Sequence, residues 1–211
     1  MQRLAVSLLF LVSIASGANP TCLTTADTWQ QAKAPSTIQL YYRTLPDSGH
    51  LEVTAATELS GQPEDFIRLL RQTQRAPEWM ANVRSVEVLS EPEPNVDIVH
   101  TKLNAPWPVR DRDMVTRSTI KRDPDGHIHI QVTDLGQHYP QETGFVRMTH
   151  VRGRWQLTPG SSGTFNLCYR GSGSAAGRLP QWLSNNLLLS AMKRTFTRLR
   201  ELPEFSVSPA A

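Results

Sequence analysis

The chain has 211 residues, of which 39% are hydrophobic and 19% charged, with a formal net charge of +3. That is length for one domain with a sizeable core or an enclosed cavity. The charge is too small and too dispersed for a nucleic-acid surface, and beyond the first residues no stretch is long and apolar enough to span a bilayer as a helix.

In chain order, Arg3, an apolar run over 4–14 and the small residues Ala15-Ser16-Gly17-Ala18 read as a secretory signal peptide over 1–18, cleaved after Ala18. The expectation is a single mature domain over 19–211, exported and working in a periplasm. Cys22 follows soon after, but Asn19-Pro20-Thr21 lacks the apolar-then-small pattern of a lipidation site. Strands are predicted over 38–45 and 51–59 around the turn Pro46-Asp47-Ser48-Gly49. Gln62-Pro63-Glu64-Asp65 opens a helix through Phe66, Ile67, Leu69 and Leu70, and a short helical piece holds 77–80. From Val83 onward alternation predicts strands over 85–89, 96–103, 113–122, 127–135, 144–151, 154–157 and 163–170. Turn chemistry at Pro92-Glu93-Pro94-Asn95, Asp123-Pro124-Asp125-Gly126 and Gly160-Ser161-Ser162-Gly163 joins several of them. A helix over 179–202 ends at Pro203. The order is α+β, a run of antiparallel strands closed by a long last helix.

Period-two alternation places Val99, Thr101 and Leu103 on one strand face, then Met114, Thr116, Ser118 and Ile120 on the next, and Phe165, Leu167 and Tyr169 near the end. On the last helix Leu188, Met192 and Phe196 share a broad apolar side with Leu199, while Lys193, Arg194, Arg198 and Arg200 fall opposite. The combined surface is apolar with a few hydroxyls. Periodicity alone allows either a solid core or a lipid-sized cavity. An even cysteine count in an exported chain favours a disulfide between Cys22 and Cys168, with Cys168 facing away from Phe165, Leu167 and Tyr169; two separate thiols stay open.

Catalytic patterns are poor. There is no Gly-x-Ser-x-Gly elbow and no Cys–His pair recommended by spacing, and the proposed inward faces carry no carboxylate or histidine. Gly171-Ser172-Gly173-Ser174-Ala175-Ala176-Gly177 lacks the βαβ context and following lysine of a phosphate loop, and reads as a flexible link. His127 and His129 share a strand face, but no third ligand of metal spacing accompanies them. His100 and His150 read as satisfied polar residues at the sheet surface or rim. No metal and no cofactor are expected.

Two segments carry a family likeness. Ala105-Pro106-Trp107-Pro108 followed by Arg112-Asp113, and Gly177-Arg178-Leu179-Pro180-Gln181-Trp182-Leu183-Ser184-Asn185 opening the last helix, resemble the StAR-related lipid-transfer (START) family. The resemblance implies a helix-grip fold, a curved antiparallel sheet around the last helix, enclosing an apolar cavity for one lipid such as a sterol or phospholipid. It further implies a monomeric carrier or sensor in transient contact with membranes, with no nucleic acid and no covalent step. Pro106, Trp107, Pro108, Arg112, Asp113, Arg147, Leu179, Pro180, Trp182 and Asn185 match the family's motif positions; Trp107, Arg112 and Asp113 read mainly as setting the fold, with contact to a ligand head at the rim as the second reading. The acid–arginine pair of some sterol-carrying relatives falls at Thr101 and Ser118, so it is absent here. The other reading is a helix-grip enzyme of the polyketide cyclase or aromatase type. For a carrier, the last helix is the expected gate, hinged at 171–177, with 136–140 as the opposite lip. Its outer cations would meet anionic head groups, with Leu183 and Leu187 dipping into the interface.

Overall fold

The computed structural model describes residues 28–206 apart from residue 162. The expected leader and Cys22 lie outside the described residues. β1 (Gln30–Gln31), β2 (Gln39–Thr44) and β3 (Leu51–Ser60) lead into α1 (Pro63–Arg71) and α2 (Ala76–Trp79). Then follow β4 (Val83–Glu93), β5 (Val96–Leu103), β6 (Arg112–Arg122), β7 (Ile128–Asp134), β8 (Val146–Arg147), β9 (Thr149–Pro159), β10 (Thr164–Ser174) and α3 (Gln181–Glu201). α1 starts where proline costs nothing, at its first helical residue, and the Asp65 carboxylate accepts from the Gln62 N–H at 2.8 Å.

The strands form one sheet in the order β1-β2-β3-β10-β9-β7-β6-β5-β4, antiparallel along that path, with β8 added parallel to β6. β10 pairs with β3 across the whole intervening chain, so the sheet curls and grips α3. This is the α+β helix-grip arrangement. Three strands run well beyond what alternation predicts, the first being β4, which spans Val83–Glu93 rather than 85–89. β9 continues through Gly153, where a break between 151 and 154 was expected, because Gly153 pairs with both Val132 and Gly171. β10 takes in 171–174, since Gly171 pairs with Val53 and Gly153; half of the supposed flexible link is sheet.

One end of the grip is solid. Trp155 stacks on Phe196 at 6.3 Å and lies 5.2 Å from Phe66, which meets Trp79 edge-on at 5.8 Å. Phe165 meets Phe205 at 5.9 Å. Burying each such side chain stabilises the fold by about 1.5–3 kcal/mol. The second half of α3 supplies Thr195, Phe196 and Leu199 to this end, all buried. Polar links secure it: Ala81 N–H donates to Thr195 Oγ1 at 3.0 Å, Arg194 donates to Asn82 Oδ1 at 2.7 Å, and Arg200 donates to Thr57 Oγ1 at 3.0 Å and Glu58 O at 2.6 Å.

Candidate functional site

Between the concave sheet face and the first half of α3 lies a cavity of about 530 Å³. β5 lines it with Val99, Thr101 and Leu103, and β6 with Met114, Thr116, Ser118 and Ile120. Tyr169 comes from β10, Leu188 and Met192 from α3. Phe165, Leu167 and Phe196, expected with them, are instead fully buried in the solid end and do not reach the cavity. Alternation reports the face a side chain is on, but not how far along the strand the space beside it has already been filled. Leu187 is corrected as well: it lines the cavity rather than standing on the outer side.

The lining also holds charge that the sequence reading missed. Asp97, Glu91 and Arg71 all border the cavity, so the expectation of carboxylate-free inner faces is wrong. Asp97 was legible, two residues before Val99 on the same face. Glu91 was hidden, because β4 carries one residue more than β5 at each of its register shifts, between Val83 and Ser85, Val88 and Ser90, and Ser90 and Glu93. Those extra residues turn Val83, Val86, Val88 and Glu91 inward at irregular spacing. Burial raises the pKa of Asp97, Arg71 opposes the rise and Glu91 adds to it. Burial pushes the Tyr169 hydroxyl up to about 12, so it remains a neutral O–H.

At the other end the two motif segments form the rims of a mouth. Pro106 and Leu179 border the cavity, while Trp107 is 92% exposed and Trp182 65% exposed. The Trp107–Pro108 peptide is cis, Pro180 caps α3, and Asn185 Oδ1 accepts from Gln181 Nε2 at 3.0 Å. Arg112 joins the rims: its guanidinium donates to Arg110 O beside the proline corner and to Ala175 O, at 3.3 Å, on the path to α3.

Asp113 points the opposite way, which corrects its expected place at the cavity rim. On the convex side its Oδ2 accepts from Arg147 Nε at 3.0 Å and Nη2 at 2.8 Å, and from His100 Nε2 at 2.9 Å. Burial alone would raise its pKa, but the bonds from Arg147 and His100 outweigh burial and hold the carboxyl below its ordinary range. A carboxylate only accepts, so Nε2 of His100 carries the proton. Arg147 also donates to the carbonyls of Gly136 at 2.7 Å, Tyr139 at 3.3 Å and Pro140 at 2.9 Å. Segment 136–140 is thus fastened to the back of the sheet; it borders a separate cleft and is not the opposite lip. Of the expected link 171–177 only 175–177 lie outside β10, and there Ala176 and Gly177 take φ of 53° and 68°. Of the outer cations expected to meet a membrane, Arg194 and Arg200 are hydrogen-bonded within the protein at the solid end.

His129 and His127 sit 3.1 Å and 3.7 Å from Asp123 and Asp125, and no cluster among the described residues could hold a metal ion. Among those residues no helix is long and apolar enough to cross a membrane. Cys168 lies on the convex face, as alternation predicts, and is buried there. On the same face Trp29 packs between Arg43, 5.0 Å away, and Arg170, 5.2 Å away.

The START domain family model matches residues 20–204. An uncharacterized protein of Pseudomonas aeruginosa is 23% identical over 179 residues, covering 85% of this chain and 88% of that one. A STAR-related lipid transfer protein fragment from Xanthomonas axonopodis is similar in structure, with a TM-score of 0.76 and 28% identity over 83% of this chain and 98% of that one. The human StAR-related lipid transfer protein 5 shares the fold, with a TM-score of 0.73 and 20% identity over 84% of this chain and 86% of that one.

Proposed function

The chain belongs to the START domain family, and from that premise we propose that it binds one hydrophobic molecule in its cavity and carries it between membranes without a covalent step. The observation that carries this reading is the cavity of about 530 Å³, with largely aliphatic and aromatic walls, opening between two exposed tryptophans. Trp107 and Trp182 present amphipathic rings where a membrane interface would receive them, and Arg110 and Arg178 stand exposed beside them. The docking surface of this reading is therefore the mouth. A release path follows from Arg112, whose bonds to both rims must part for the first half of α3 to swing.

The reading includes export as a monomer to a periplasm after loss of residues 1–18; the family match begins just beyond, at residue 20. It also includes a Cys22–Cys168 bridge. Trp29, held against Arg43 and Arg170, brings the early chain onto the face that carries Cys168, and the described residues include no free cysteine.

Native mass spectrometry of the purified protein, followed by transfer of a fluorescent lipid between anionic vesicles, tests the proposal. A retained lipid is expected, with transfer slowed about tenfold in Trp107→Ala/Trp182→Ala while equilibrium binding holds. An empty cavity that takes up no lipid from any vesicle would refute it.

A further inference from the structure

One inward row crosses the sheet through Asp97, Ser118, Val132, Gly153 and Gly171, each paired with the next on the neighbouring strand. All five border the cavity. The row is polar at its β5–β6 end and bare at its β9–β10 end. The bare end has an occupant from the adjacent row: a Cβ on Gly171 would collide with the Tyr169 hydroxyl, and one on Gly153 would come within 3.3 Å of it. The two glycines therefore let the Tyr169 ring lie down along the sheet and bring its hydroxyl into line with Asp97 and Ser118.

Neither end is satisfied by the protein. Among the described residues no hydrogen bond reaches the Asp97 carboxylate; Arg71 and Glu91 act on it only at a distance. None reaches the Tyr169 hydroxyl either, although the Tyr169 carbonyl accepts from Thr54. The Tyr169 hydroxyl faces the cavity from a largely apolar wall and Asp97, half-buried, faces it from the other end; a site that presents two unpaired polar groups to one space favours a ligand that pairs with both. β5 and β10 are four strand spacings apart in the sheet order, about 19 Å along its curve and less across the cavity. Around Asp97 the acids outnumber Arg71, which repels an anionic head. A volume of about 530 Å³ suits one compact ring system or a single chain and is small for a two-chain phospholipid.

Resting on the carrier reading above, we infer that the cavity selects an uncharged, elongated hydrophobe with a hydroxyl-type donor at one end, received by Asp97 and Ser118, and a second polar oxygen at the other, received by Tyr169. The ligand is held by its two ends and merely enclosed along its length.

The test titrates the full mature protein with the α,ω-diol of dodecane, dodecanol and dodecanoate, following tryptophan fluorescence. The diol should bind about tenfold tighter than dodecanol, and dodecanoate should bind weakest. Asp97→Asn should remove most of the discrimination against dodecanoate, and Tyr169→Phe should erase the advantage of the diol over dodecanol. Ser118→Ala, a milder change, should weaken the diol about threefold, and it carries the test with Asp97→Asn if Tyr169→Phe does not fold. Equal binding of all three probes, unmoved by the variants, would overturn this inference and leave the carrier reading standing. Binding of none would sink the carrier reading, and this one with it.

Discussion

The two halves of α3 are built from the same kinds of residue and do opposite things. In the second half Thr195, Phe196 and Leu199 are buried against aromatic side chains, and Arg194 and Arg200 fasten the helix to the turn after α2 and to β3. In the first half no residue is fully buried, although Leu187, Leu188 and Ala191 face inward just as regularly. Its link to the rest of the fold beyond its own turn is one hydrogen bond among the described residues, from Gln181 to His50 at 3.1 Å. Apolar periodicity fixes which side of a helix turns inward. Whether that side meets side chains or space depends on the sheet opposite, where Trp155 and Phe165 give way to Gly153, Gly171 and Gly173.

The contrast breaks most directly by truncation. Phe196→Ala should cost about 3–5 kcal/mol in denaturant unfolding, whereas Leu188→Ala, which already borders open space, should cost less than about 1 kcal/mol. Equal losses would mean that the first half is packed as tightly as the second. A smaller effect concerns the back of the mouth. Arg147→Ala strips Asp113 of its main partner and should cost about 3 kcal/mol. Because the folded pKa of Asp113 is depressed, this contribution is complete above its unfolded value near 3.8 and is lost as pH falls through the folded value. Acid should therefore loosen β6 and segment 136–147 before the Phe66–Trp155–Phe196 stack, and hydrogen exchange across an acid titration would resolve the order. Simultaneous loss would mean that the two ends are one cooperative unit. The smallest effects compare single polar links: Arg200→Ala should cost about 1 kcal/mol and Gln181→Ala less than about 0.5 kcal/mol, both read from urea midpoints.

Much of this was legible in the residues. Alternation located most of the strands, β5 to the residue, and the two motif segments identified the grip and its family. Pattern in the residues falls short wherever the outcome depends on what a second element has already filled. Phe165 and Leu167 share a face with Tyr169, yet only Tyr169 reaches the cavity, because Phe205 and the end of α3 occupy the space beside the other two. The run 171–174 looked like a linker because glycine and serine favour loops. It is a strand because its backbone is paired on both sides, Gly171 with Val53 and Gly153, and Ser172 with Glu52 and Arg152. Arg112 and Asp113 are adjacent in the chain but serve opposite faces, as period two requires of neighbours on a strand.

The irregularity of β4 has a consequence outside the binding site. β4 is a terminal strand of the sheet, eleven residues long, with half-exposed Val88 and Leu89 near its middle. A flat strand of that length and composition would invite another chain to pair along its free side. The extra residues that turn Val86, Val88 and Glu91 inward also spoil the even spacing of the outward N–H and C=O groups, and Pro92 removes one donor altogether. The distortion that shapes one wall of the cavity thus also denies the opposite edge a uniform ladder, so the same few misaligned residues serve both the inside and the outside of the sheet.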